Sequence, residues 1–159
     1  MEDERFGFPP RTHEVLDLEV IWDLSDALDE LVGEGMSGDL LLQRAAEGAE
    51  VPVSHAYIAA GLDPDFPWSS EHAVTFVVCS GECQSWGSVD RIDHLLTVRA
   101  DRVAAGRSGF NTQTRGCLNT CEHPPAIHCE SPESAARLPR ASREDLSQAV
   151  SALVEEQGG

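Results

Sequence analysis

Between Leu16 and Val32 the apolar residues Val20, Ile21, Leu24, Leu28 and Leu31 recur at spacings of three and four, which predicts a helix with one buried stripe, stopped by Gly33 and Gly35. Leu41, Leu42 and Ala45 carry a second, shorter helix to Gly48. It opens after Ser37 or Asp39, either of which can accept a backbone N–H as N-cap. A third helix starts at Ser54, just behind Pro52, and ends at Gly61. The tract Asp63-Pro64-Asp65-Phe66-Pro67-Trp68 cannot continue it, because each proline disfavours helical geometry in the residue before it; this stretch reads as a linker. Ahead of the first helix, residues 1–13 hold Gly7, Pro9 and Pro10 among charges with no apolar period, the pattern of a flexible arm.

The pattern changes character after residue 72. Ala73 to Val78 is a short, β-branched and nearly continuous apolar run, which predicts a strand buried on both faces. Ser88 to Ala105 predicts a helix with Ser88 as N-cap and Ile92, Leu95, Leu96 and Val103 inward, ended by Gly106. Strands follow at Phe110 to Arg115 and Ala126 to Cys129, with a weaker one at Ala135 to Leu138. Ser142 caps a last helix carrying Leu146, Val150 and Leu153, and Glu144 and Asp145 lie in its first turn, where the helix dipole favours negative charge. The expected architecture is α/β: a mixed sheet with flanking helices, preceded by a small helical bundle. In residue numbers this gives an arm over 1–14, the bundle over 15–62, a linker over 63–71 and the α/β domain over 72–157.

Composition narrows the function classes. No run approaches the roughly 18 to 20 apolar residues of a spanning helix, so membrane insertion is not expected. Met1-Glu2-Asp3-Glu4 is acidic where a secretory signal is basic and then apolar, which makes the cytoplasm the expected compartment. The formal net charge is −17, and every basic residue is Arg. A chain this acidic lacks the electrostatic footprint that phosphate backbones require, so nucleic acid is not an expected partner. The charge is uneven: residues 1–71 hold 17 acids and three Arg, residues 72–159 hold 11 acids and eight Arg. Such a field serves solubility, or steers docking onto a basic partner.

Five cysteines stand at 79, 83, 117, 121 and 129. The first four form two C-x3-C pairs separated by 33 residues, and each pair follows a predicted strand. In a parallel crossover unit both strand ends emerge on the same side of the sheet, so the two cysteine loops are expected side by side, with four thiolates converging on one object. An odd count and a cytosolic address disfavour a disulfide framework. The C-x-x-C spacing of a redox dithiol is absent. A four-thiolate zinc site stays open, since the spacing falls within its range. An iron–sulfur cluster bound by Cys79, Cys83, Cys117 and Cys121 is the leading reading. Cys129 reads as a packed small hydrophobe. His123 and His128 are alternative ligands of the Rieske kind, and Arg115 is either a stabiliser of an anionic cluster or a surface charge. Backbone N–H groups of residues 80–82 and 118–120 are candidate donors to sulfur. Trp86 and Phe76 read as packing. No nucleotide-binding glycine motif, phosphate loop, H-E-x-x-H or nucleophile elbow is present, and no catalytic residue is assigned.

Val77-Val78-Cys79-Ser80-Gly81-Glu82-Cys83, Gly116-Cys117-Leu118-Asn119-Thr120-Cys121-Glu122-His123-Pro124-Pro125 and the closing Ser142-Arg143-Glu144-Asp145-Leu146 helix resemble the thioredoxin-like [2Fe-2S] ferredoxins. The nearest branch is the E-type (24-kDa-type) subunit of NADH dehydrogenase, shared with NAD-linked hydrogenases and formate dehydrogenases. Val51-Pro52-Val53-Ser54-His55-Ala56-Tyr57 is similar to the entry of the last bundle helix in that branch. The resemblance runs from about residue 16 to 155. It departs at the first cysteine pair, where the branch usually has four intervening residues, and at Asn119, where it usually has glycine. It implies a thioredoxin-like domain, one [2Fe-2S] cluster ligated by Cys79, Cys83, Cys117 and Cys121, and single-electron exchange with a flavoprotein partner that binds NAD(H), the helical half contributing to docking. A free-standing ferredoxin shuttle and a non-redox protein with a four-cysteine zinc site are the alternatives.

Overall fold

The computed structural model describes residues 12–116, 125–132, 135–138 and 140–158. Three helices come first. In α1, Leu18–Gly33, Asp17 stands in extended conformation at the N-cap and accepts the Glu19 N–H, while Ile21, Leu24 and Leu28 are buried. The next helix, α2 over Gly38–Ala49, follows Ser37 at the N-cap position, buries Leu41, Leu42, Ala45 and Ala46, and is stopped by left-handed Glu50. Pro52 precedes α3, Val53–Ala60. From Ala56 to Ala60 every residue of α3 is buried, as befits a helix enclosed on all sides. The proline tract beyond it lies against this bundle. Phe66 is buried, Trp68 packs edge-on to it at 4.6 Å between centroids, and Tyr57 lies 5.9 Å from Trp68.

The sheet consists of β1, Thr75–Cys79, β2, Asn111–Arg115, β3, Ile127–Glu130, and β4, Ala135–Arg137, in the order β2-β1-β3-β4. The first two strands run parallel and are joined by α4, Ser88–Ala104; β3 is antiparallel to β1 and to β4. Helix α5, Arg143–Gly158, closes the chain and packs on α4. A parallel β-α-β unit, then an antiparallel β-β-α unit, is the thioredoxin-like arrangement expected from the sequence, with the helical part in front of it. Ser142 Oγ accepts the Asp145 N–H and Asp145 Oδ2 accepts the Ser142 N–H, both at 3.0 Å, a reciprocal cap that depresses the Asp145 pKa.

Alternation along β1 divides its side chains between two environments. Phe76 and Val78, with Ile127 and Cys129 of β3, join one continuous core that also takes in Leu24, Leu41, Tyr57, Ile58, Ile92, Leu95, Phe110, Leu146 and Val150. Phe76 and Phe110 contact each other with centroids 5.1 Å apart. Val77 and Cys79 point to the other face and form a small cluster with Cys83 and Ala126.

Two local expectations are corrected. Val103 is 58% exposed, because Arg102 takes the inward position in the last turn of α4, donating from Nε to the Ser108 carbonyl at 2.8 Å. Val103, about 100° further round the helix, is thereby left at the surface. Ser88 is the buried first residue of α4 and not its cap; left-handed Gly87, at φ 100°, holds that position at the end of a 3₁₀ turn over Glu82–Trp86.

Candidate functional site

The C-terminal end of β1 carries the first cysteine pair. Cys79 is the last residue of the strand, 2% exposed, and its N–H donates to the Ala126 carbonyl at 3.0 Å. Cys83 lies in the 3₁₀ turn and is 1% exposed. Between them, the Ser80 N–H donates to the Arg115 carbonyl at 2.7 Å, and Ser80 Oγ donates to the same oxygen at 3.1 Å. The loop after β1 is therefore fastened to the end of β2.

Gly81 makes that fastening tight. A Cβ built there would lie 2.3 Å from the Gly116 carbonyl oxygen, a distance no side chain tolerates. Gly61, at the end of α3, is closed in the same way, its Cβ position 2.4 Å from Ser80 Oγ and 2.5 Å from Thr114 Oγ1. The two strand ends and the end of the bundle thus meet around Ser80-Gly81 and Arg115-Gly116.

Cys117 and Cys121 lie outside the described residues, as does His123. The chain on either side of them is described, and both sides touch the first pair. Gly116 O, immediately before Cys117, accepts a weak hydrogen bond from the Cys79 thiol at 3.7 Å. Ala126, where the chain returns, donates its N–H to Cys83 Sγ at 3.4 Å. The segment holding the second pair leaves at one cysteine of the first pair and comes back at the other.

The donor chemistry suits thiolate ligation in part. A backbone N–H aimed at the Cys83 sulfur stabilises negative charge there. The Cys79 contact with a carbonyl oxygen belongs to the protonated thiol and must give way when that sulfur is ionised. Among the described residues no group of three or more His, Cys, Asp or Glu side chains converges for a metal ion.

The remaining candidates separate by face. Cys129 pairs in register with Phe76 and points into the main core, on the opposite side of the sheet from Cys79; burial pushes its thiol up to about 11. His128 stands beside Val77 in register, with Nε2 buried and without a hydrogen-bond partner among the described residues, and desolvation holds its pKa below 6.5. Arg115 is 51% exposed at its side chain and pairs with Glu130 at 3.7 Å. Trp86 is 7% exposed, and Phe76 is fully buried.

Pattern reading did not find Gln84. Buried at 7% exposure, its side-chain oxygen accepts the Leu16 N–H at 2.8 Å while its amide donates to the Ser80 carbonyl at 3.0 Å. The Thr12 and His13 N–H groups both donate to the Ser85 carbonyl, at 2.9 and 3.0 Å. The chain ahead of α1 is strapped to the turn that bears Cys83. A lone Gln after a cysteine carries no periodic signal that would have shown this.

No family model matches the chain, and no curated protein matches it. Solved structures do match. One is the crystal structure of the wild-type thioredoxin-like [2Fe-2S] ferredoxin from Aquifex aeolicus, at 16% identity and a TM-score of 0.44, covering 53% of this chain and 87% of that one. Among the described residues no helix is long and apolar enough to cross a membrane.

Proposed function

We propose that this chain is an electron-transfer protein that holds one [2Fe-2S] cluster through Cys79, Cys83, Cys117 and Cys121 and works as a subunit of an NAD(P)H-linked oxidoreductase, exchanging single electrons with a flavoprotein partner. One observation carries the reading: the segment containing the second cysteine pair begins at the carbonyl beside Cys79 and ends at the amide on Cys83. Both described ends of that segment thus touch the first pair, which supports a shared site for the four thiols. When bound, such a cluster supplies reversible one-electron chemistry, while the protein sets its charge, hydrogen bonding and solvent access. Residues of the chain do the rest. The Ala126 N–H supports sulfur charge at Cys83, Gly81 lets the two strand ends close, and Gln84 fixes the turn between them.

The deciding measurement is iron and acid-labile sulfide per chain, with visible absorption and EPR of the reduced state, on anaerobically purified protein. Cys79→Ser and Cys117→Ser should abolish the signals, and Cys129→Ser should leave both in place. Equal loss in all three variants would refute the ligand assignment. Colourless protein with zinc and no sulfide would replace it with a structural zinc site. Copurification of a flavin-containing chain supports the subunit reading, whereas a lone monomer whose electron-transfer rate falls with salt makes it a shuttle.

A further inference from the structure

Helix α1 carries a second apolar feature besides its buried stripe. Val15 is 55% exposed, Leu18 60% and Trp22 62%. Leu18 and Trp22 are one turn apart and share a face. An open indole of this size, one turn from a second open apolar side chain and with exposed Val15 just ahead of the helix, marks a contact surface; Leu40 and Leu62, exposed singly, do not. The ridge is flanked by a row of exposed carboxylates at helical spacing, Glu19, Asp23, Asp26 and Glu30, with Asp17 above and Asp29 below. Residues 12–43 contain nine Asp or Glu and no Lys or Arg.

That charge selects the occupant. Phosphate surfaces, whether of lipid or nucleic acid, are repelled, and a second copy of the chain would set one acidic row against another. An apolar patch rimmed by Arg or Lys on another protein is complementary. The chain that leads into the ridge is tied to the turn that bears Cys83. Val15 precedes Leu16, whose N–H is held by Gln84, the residue after Cys83. We propose that the Leu18–Trp22 ridge and its acidic flank are the docking face for a basic redox protein, an inference that rests on the electron-transfer reading above.

The test uses the anaerobically purified full chain with cytochrome c as probe, a basic haem protein whose apolar haem edge is ringed by lysines. One electron leaves the reduced protein and converts ferric to ferrous haem. Trp22→Ser should lower the second-order rate constant about tenfold, the scale of a central aromatic contact, with an unchanged visible spectrum and EPR signal. Asp23→Asn with Asp26→Asn should flatten the fall in rate between low salt and about 0.3 M. Leu40→Ser should change nothing. Equal rates for Trp22→Ser and Leu40→Ser would overturn the proposal, as would a wild-type dimer that Trp22→Ser abolishes. Backbone amide shifts on adding the same cytochrome c need no cluster. Shifts gathered on residues 14–26 in protein devoid of iron and sulfide would keep the docking face and discard the cluster, and shifts on any other face would discard the docking face.

Discussion

Gly81→Ala tests whether the two strand ends depend on close approach. The added Cβ would sit 2.3 Å from the Gly116 carbonyl oxygen, and ordinary contact begins at 3.4 Å. The backbones must therefore part by about 1 Å, a forced overpacking of the kind that costs roughly 1–3 kcal/mol. Parting them also strains the 2.7 Å hydrogen bond from the Ser80 N–H to the Arg115 carbonyl, worth about 1 kcal/mol more. At about 2–4 °C per kcal/mol for a chain of this size, the melting temperature should fall by roughly 5–15 °C. Far-UV circular dichroism melts read the stability, and iron retained per chain after gel filtration reads the consequence for the cysteines. Gly48→Ala in α2 is the control, since no described residue outside its own helical turn lies within 4 Å of its Cβ position. There the helix should gain about 0.5–1 kcal/mol. A Gly81→Ala protein melting within about a degree of wild type would show that the clash is relieved without cost and that the strand ends are not held by this contact.

Gln84→Ala removes both the acceptor for Leu16 N–H and the donor to Ser80 O, so about 1–3 kcal/mol should be lost, and amide exchange at Leu16 should accelerate more than at Leu24. Tyr57→Phe deletes the 3.0 Å hydrogen bond from the phenol to Asp39, which keeps Arg99 at 3.3 Å; a drop in urea stability of about 1 kcal/mol is expected, and no change would mean that water replaces the bond fully. Burial depresses the pKa of His55 and His94 below 6.5 in the folded state, so the unfolded chain binds protons first. Stability from these groups is complete above 6.5 and drains away as pH falls from there through the folded values. Arg143 and Arg91 hold the Asp90 carboxyl below 3.8, which adds a separate loss in stronger acid. Urea midpoints across this range check both, and a midpoint that rises between pH 7 and pH 5 would contradict the histidine assignment.

Periodicity exposed the elements because each buries one continuous stripe: Ile21-Leu24-Leu28 in α1 and Leu146-Val150 in α5 are both readable and both buried. The strand at β1 is legible from its β-branched run, and its parallel crossover to β2 brings Cys79 and Arg115 to the same sheet end. Features set by tertiary contact were not legible. Arg102 displaces Val103 because its guanidinium finds a carbonyl in the following loop, and Gly87 displaces Ser88 as cap because a 3₁₀ turn feeds the helix. Nothing in the composition of the proline tract announces that Phe66 and Trp68 pack onto Tyr57. The Leu18–Trp22 ridge hides for the opposite reason: its apolar residues lie off the main stripe and look like noise until exposure is known.

The single core that runs from Leu24 through Tyr57 to Phe76 and Leu146 has a consequence for how this chain melts and how it changes over time. Heat should disrupt bundle and sheet in one calorimetric transition, since the main core is shared between them. A recombination event that replaced only the helical third would strip β2 and α4 of the apolar cover that α3 lays on them, so the two parts should tolerate exchange only as a unit.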